Sequence, residues 1–284
     1  MKRKARGYWL FLLPSLLGVL LFYVVPFGYS LYYALIDNMG NQQFVGLKNF
    51  TDTLSNELFQ SAAWNTAVFI GISVPLGVGI GLGLSLCLRK MKRGKAAAAT
   101  ALLLPLVVPS GTIVYFWKVL FDSNGLVNEW LIQLGLSHQW VSQNQWSMGI
   151  LVAVFLWKNV SYNIVLFWSG LNWIPEIYYE QARLEGANGW QQFRHITWIY
   201  LSPTTFVVLL MSVVNSFKVF KEVYMLYGPY PDPDIYMLQH YMNNQFLSLN
   251  MQKLCSAAYI LFLVMGLVLL VLFYAQKRVT DAYQ

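Results

Sequence analysis

Six stretches of the chain stay apolar long enough to cross a bilayer, which takes about 20 residues of helix. They cover residues about 8–36, 62–88, 96–119, 147–171, 196–217 and 257–276. The first, from Tyr8 to Ile36, holds no Asp, Glu, Lys, Arg or His. If the six alternate, the segments on one side of the bilayer are about 37–61, 121–146 and 221–256. None of these could carry its own core, because stability falls away below about 40 residues without crosslinks. The pattern predicts an all-α integral membrane protein, residues 1–284 forming one transmembrane domain of six helices.

Composition agrees with lipid as the solvent: 57% of residues are hydrophobic, 17% aromatic and 11% charged, with a mean hydropathy of +0.48. The basic start, Met1-Lys-Arg-Lys-Ala-Arg6, is like that of a secretory signal. The apolar run behind it is about twice a signal core and ends in no Ala-x-Ala site, so a retained helix is expected. A net charge of +7 raises nucleic acid as a partner, and the placement of the charge argues against it. Most of the basic residues fall before the first span, between the second and third (Arg89, Lys90, Lys92, Arg93, Lys95), between the fourth and fifth (Arg183, Arg194) and after the sixth. The opposite segments carry Lys48, Lys221 and Lys253 against eight acids, among them Asp37, Glu129, Glu222 and Asp232. This is the positive-inside asymmetry, which puts both termini in the cytoplasm of a multi-pass protein. Cys87 and Cys255 fall at opposite ends of the bilayer in this topology, too far apart for a disulfide. His138, His195 and His240 show no metal-ligand spacing.

Prolines at 14, 26, 75, 105, 109 and 203 fall inside spans, where each removes a backbone bond and bends the helix. Gly77 and Gly81 make a G-x-x-x-G pair on the second span, fitted to close packing within the bundle or to dimerisation. Between the fourth and fifth spans the chain reads YYEQARLEGANGWQQFRHI, an unusual concentration of charge for so oily a protein. Pro175 is suited to the first turn of a helix, Ile177, Leu184 and Ala187 recur at helical spacing, and Glu180 is three residues from Arg183 and able to pair with it. Asn188-Gly189 is expected to break this helix, and a second short one should run from Trp190 to His195. An amphipathic helix lying on lipid carries Lys and Arg along its polar face. This one carries three glutamates and one arginine, which favours docking on a protein.

The run Ile174-Pro-Glu-Ile-Tyr-Tyr-Glu-Gln-Ala-Arg-Leu-Glu-Gly-Ala187 resembles the EAA signature of permease subunits in bacterial ATP-binding-cassette importers of the carbohydrate-uptake type. Gln181 stands where the signature usually has Ala, and Trp198-Ile199 where it usually has Leu-Pro. Similar text recurs at Val45-Gly-Leu-Lys-Asn-Phe50, Trp64-Asn-Thr66, Leu104-Pro105, Gly125-Leu-Val-Asn128 and Phe217 to Leu226, so the resemblance covers most of the chain. It implies that residues 175–195 form a cytoplasmic coupling elbow, with Glu180, Gln181, Ala182, Leu184, Gly186 and Ala187 seated on a separate ATPase. It further implies a second homologous permease, two ATPase subunits, an extracytoplasmic solute-binding protein, a carbohydrate solute and a location in the bacterial inner membrane. No G-x-x-x-x-G-K-[ST] phosphate loop occurs in the chain, which agrees with ATP and Mg being handled on a partner and with no cofactor or catalytic residue here.

A sugar path through an apolar bundle needs hydrogen-bonding groups and aromatic faces. The fourth span offers Trp157, Lys158, Asn159, Tyr162 and Asn163; the fifth offers Ser212, Asn215, Ser216 and Phe217, with Phe220 just beyond. For the Asn and Ser residues, bonding between helices is the competing role. Lys158, midway along its span, costs about 3 kcal/mol if exposed to lipid. Two readings stand for it: a donor to solute, or a structural partner for a carbonyl or carboxylate. Two rival functions are weighed. A membrane enzyme needs paired acids or a metal cluster, and Glu180 and Glu185 lie on different helix faces. A secondary transporter usually shows an inverted repeat and carboxylates inside its spans, and no Asp or Glu falls clearly within these six.

Overall fold

The computed structural model describes residues 2–37, 40–121, 125–133 and 147–281, and the rest of the 121–146 segment, with His138, lies outside them. Every named element among the described residues is helical: α1 Lys2–Val19, α2 Val25–Leu35, α3 Lys48–Leu54, α4 Glu57–Lys90, α5 Lys95–Val107, α6 Ser110–Phe121 and α7 Leu126–Gln133. There follow α8 Ser147–Asn172, α9 Glu176–Leu184, α10 Gly189–Gln192, α11 Trp198–Phe217, α12 Phe220–Tyr227, α13 Leu238–Leu247 and α14 Met251–Asp281. The outer segments are thus partly helical themselves. Among the described residues five runs are long and apolar enough to span a membrane: Phe11–Leu35, Glu57–Lys90, Ser147–Asn172, Gly189–Tyr227 and Met251–Arg278.

The expected third span, 96–119, is not one helix. Pro109 clashes with a helical residue before it, and Val108 is extended at φ −75°, ψ 127°. The run is divided there into α5 and α6. At about 1.5 Å per residue, α5 rises only about 20 Å, short of the roughly 30 Å hydrocarbon core. Pro26 acts differently. Its ring crowds the carbonyl four residues back, and the chain answers with a π-helical turn at Leu20–Val24 that joins α1 to α2 without a break.

Cα packing divides the chain into two compact units, one running to Gln60 and adding Tyr241–Met265, the other Ser61–His240 with the chain from Gly266 on. In the first, Phe27 packs on Tyr259 with ring centroids 4.7 Å apart and edge-on to Phe262. Asn49 of α3 donates to the carbonyls of Ala34 and Ile36 at 3.0 and 2.8 Å, which closes the end of α2. In the second unit α8 is the axis. Phe155 meets Phe69 of α4 edge to face, and the same apolar cluster takes in Val219, Val223, Ile235 and Met237. Lower down, Phe167, Leu171, Tyr179, Leu201 and Val208 share another.

Close approach of helices in this unit depends on glycine at two points. A Cβ on Gly81 would fall 2.7 Å from Cβ of Asn163, and one on Gly170 only 2.6 Å from the Thr204 hydroxyl. The Gly77/Gly81 pair therefore serves packing of α4 on α8 within the chain. Near the start of α4, Asn65 donates to the carbonyls of Pro233 and Tyr236, and Thr66 accepts from the Leu238 amide, so α4 holds the segment after α12 in place. His240 is fully buried against it. Its ring meets Phe220 at 4.8 Å, and its Nδ1 accepts the Met237 N–H at 3.3 Å.

Two stability experiments follow from this packing. Gly81→Ala should cost about 1–3 kcal/mol by forcing α4 from α8, whereas Gly79→Ala, with open space at its Cβ, should be neutral or gain up to about 1 kcal/mol of helix propensity. Thermal unfolding in detergent separates the two. Burial pushes the His240 imidazole down to about 4, while the unfolded side chain titrates near 6.5. As pH falls from about 6.5 to about 4 the unfolded state takes up a proton that the folded state refuses, so stability drops across that window and this contribution stops changing below it. His240→Asn, which keeps an acceptor for the Met237 amide, should flatten the dependence in a melting series from pH 7 to pH 4.

Candidate functional site

On α8, Lys158, Asn159 and Tyr162 share a face and open onto a cavity of about 380 Å³. Asn215 and Met211 of α11 bound it opposite, with Lys218, Val219 and Glu222 at the turn into α12 and Leu106 from α5. The central contact is an ion pair. Lys158 Nζ donates to Glu222 Oε1 at 2.8 Å, the lysine side chain 32% exposed and the carboxylate 7%. Glu222 is buried because Val219, Glu222 and Val223 form one inward stripe at i, i+3 and i+4. Its second oxygen is buried without a hydrogen-bond partner among the described residues. Two ions taken from water need each other, and removing one leaves an uncompensated charge.

Four of the ten residues expected on the solute path line this cavity: Lys158, Asn159, Tyr162 and Asn215. The others are placed elsewhere. Asn163 and Ser212, 2% and 3% exposed, bond to each other at 3.2 Å, because the approach of α4 at Gly81 covers that side of α8. Ser216 gives its proton to the Val213 carbonyl of its own helix. Trp157 stacks on Phe116 and meets Trp117 edge-on. Phe220 packs on His240, and Phe217 is not among the lining residues. Sequence reasoning missed Glu222, which it assigned to an outer segment. The signal was present in the apolar i, i+3, i+4 stripe on which that acid sits.

The elbow is built from two capped helices. Pro175, at φ −59° and ψ 132°, precedes α9 as its cap, so the helix starts one residue later than expected. It ends at a Schellman turn. Gly186 takes φ +81°, the Ala187 amide reaches the Ala182 carbonyl at 2.8 Å, and the Gly186 amide the Arg183 carbonyl at 3.1 Å. The reversal is therefore at Gly186, ahead of the expected break at Asn188-Gly189. Asn188 instead opens α10: its side chain accepts from the Trp190 and Gln191 amides, and Gln191 returns a bond to the Asn188 amide, a reciprocal capping box. A π-helical turn, Phe193–Thr197, then leads into α11.

Helix α9 has two working stripes. Glu176, Tyr179 and Arg183 face the C-terminal end of α4, where Arg89 bonds the Tyr179 hydroxyl at 2.9 Å and the Glu176 carboxylate at 3.1 Å. Arg183 pairs with Glu176 at 3.2 Å rather than with Glu180, since two full turns return it to the same face. The Tyr179 hydroxyl also bonds Thr197 at 2.8 Å, which ties the elbow to the foot of α11. The neighbouring stripe, Ile177, Glu180 and Leu184, about 100° round the helix, is exposed, Leu184 at 89%. Beside it a recess of about 470 Å³ is lined by Gln181, Ala182, Gly186 and Ala187.

An apolar bundle with a polar cavity between two of its spans and a capped elbow at one end has the layout of a membrane transport component. Residues 73–282 match the family described as binding-protein-dependent transport system inner membrane component, and the chain belongs to it. The arabinooligosaccharides transport system permease protein AraP of Bacillus subtilis (strain 168) is 30% identical, over 94% of this chain and 86% of its own. The probable starch degradation products transport system permease protein AmyD of Thermoanaerobacterium thermosulfurigenes is 27% identical over 95% and 94%. The sn-glycerol-3-phosphate transport system permease protein UgpA of Yersinia pseudotuberculosis serotype I (strain IP32953) is 27% identical over 74% and 72%. In fold, the chain is similar to one in the crystal structure of a bacterial ABC transporter involved in the import of the acidic polysaccharide alginate, with a TM-score of 0.86 and 24% identity over 98% of each.

The ion pair makes a direct prediction. Lys158→Met alone leaves the Glu222 carboxylate buried without a counter-charge and should destabilise by about 3–5 kcal/mol. Combining it with Glu222→Leu should recover most of that loss. Additive effects in a double-mutant cycle on thermal unfolding would show that the two charges do not couple.

Proposed function

We propose that this chain is one permease subunit of an ATP-driven importer in the bacterial inner membrane, both termini cytoplasmic. It moves a sugar or oligosaccharide delivered by an extracytoplasmic binding protein, by alternating access. The observation that carries the reading is the polar cavity: Asn159, Tyr162 and Asn215 gather hydrogen-bonding groups inside an apolar bundle, where a solute losing its water needs replacements. The names of relatives that transport arabinooligosaccharides and starch degradation products support a carbohydrate solute. The exposed Ile177–Glu180–Leu184 stripe and the recess beside it support docking on a separate ATPase, which would bind ATP and Mg. A second homologous permease and two such ATPases complete the assembly. Closure of the ATPases would pull the elbow, and Arg89 and Thr197 would carry that displacement to α4 and α11, shifting the bundle between inward-open and outward-open states.

One observation favours a second reading, a secondary transporter. Glu222 is a buried acid paired with a lysine, the kind of group a proton-coupled carrier uses.

Uptake of labelled neutral oligosaccharides into vesicles distinguishes the two: the importer stops when ATP is depleted and ignores a protonophore, and the carrier does the reverse. Within the importer reading, Glu180→Lys should lower ATPase co-purification and uptake by at least about tenfold, as a reversed charge at a docking surface does. An unaltered assembly would remove Glu180 from the interface.

A further inference from the structure

On the side of the elbow that carries Glu176, Tyr179 and Arg183 lies a second cleft of about 780 Å³. Its walls are the C-terminal end of α4 and the start of the second elbow helix. Leu86, Trp190 and Phe193 give it an apolar lining, and Arg89, Lys90 and Lys92 line it with charge. Together with Arg183 these are four cations against the single lining carboxylate, Glu176. That carboxylate is already shared between Arg89 and Arg183. Lys90 and Lys92 are exposed and have no partner among the described residues.

The cleft also lies at a definite depth. It begins where the apolar run of α4 gives way to Arg89 and Lys90, and exposed Trp190 is part of its wall. Tryptophans gather at the level where acyl chains meet headgroups. Trp190 and Phe193 stack at 5.7 Å, and the far side of this stack lines a further cavity of about 470 Å³ with Arg194 and Trp198. An aromatic wall with cations on both sides suits a ligand that is apolar along its length and anionic at its head.

We infer that this cleft binds the headgroup of an anionic phospholipid, its phosphate between Lys90, Lys92 and Arg89 and its glycerol end against Trp190. Basic pockets at the ends of membrane helices recognise such headgroups through charge-assisted bonds. The consequence is a lipid seated against the same Arg89 that holds the elbow, so the bilayer's charge bears on how firmly the elbow is tied to α4. The inference needs only a chain embedded in a bilayer, and is independent of solute and energy source.

The test uses the full chain, purified with whatever subunits accompany it, in phosphatidylcholine nanodiscs doped with brominated phosphatidylglycerol or, in a parallel arm, with brominated phosphatidylcholine. Trp190 quenching is read as the difference between the native chain and Trp190→Phe. The expected result is quenching by the brominated phosphatidylglycerol at fractions where brominated phosphatidylcholine has little effect. Lys90→Gln with Lys92→Gln should weaken that preference about tenfold. Lys253→Gln, remote from the cleft in sequence and outside its lining, should leave it alone. Equal quenching by both lipids overturns the proposal, since the tryptophan then only faces the bilayer. Absence of quenching by either overturns it also, a protein partner then covering the cleft. Loss of the preference on adding soluble inorganic phosphate overturns it in favour of a free-anion site.

Discussion

An ammonium group halfway along an apolar helix obliges the rest of the chain to answer it, and here the answer is Glu222. The pair holds α12 to α8 at the turn that ends the α11 run. That contact keeps Val219 and Val223 against Phe69 and Phe155, and the chain beyond α12 then reaches back to Asn65 and Thr66 on α4. The cavity exists because these helices are held by a polar bond at one level and by glycine-mediated contact at another, leaving room between. Gly81 lets α4 approach the backbone of α8, and Gly170 lets α8 receive Leu201 and Thr204, whereas the Lys158–Glu222 pair spans a gap with long side chains. Hydrophobic packing alone would close such a space, since interiors otherwise fill to crystal-like density.

The elbow applies the same economy to a surface. One short helix has a stripe packed on its own protein and an exposed stripe beside it. Arg89, Tyr179 and Thr197 tie the first stripe to two long helices. The result is a lever whose attachment is charged and aromatic, with Arg89 also lying over the Tyr179 ring at 4.5 Å. Such bonds keep direction as well as distance, which apolar contact does not.

Much of this was legible in the sequence, and the failures have physical causes. Five spans, the elbow between the fourth and fifth apolar runs, and the need of Lys158 for a partner all follow from periodicity and charge. The partner itself did not, because Glu222 lies 64 residues away, past the end of a helix, and nothing local links the two. Asn163 and Ser212 carry the right chemistry for a solute path, but whether a polar side chain faces a cavity or another helix is decided by a neighbour's glycine. Arg183 was assigned the nearer acid; the fold selects Glu176, which Arg89 fixes from a different helix. At Pro109 the sequence suggests a bend where the fold makes a break, because hydropathy does not register an extended residue such as Val108.

Both ends of the elbow's reversal are closed by its own backbone and side chains: the Schellman bonds at Gly186 on one side, the reciprocal Asn188–Gln191 bonds on the other. A Cβ on Gly186 would meet open space, so it is the positive φ and not crowding by a neighbour that calls for glycine there. The elbow is therefore preorganised. A partner docking on it would meet a finished shape, and little of the binding free energy would go to ordering the loop. The reversal can then be displaced as a rigid piece, with its own folding left untouched.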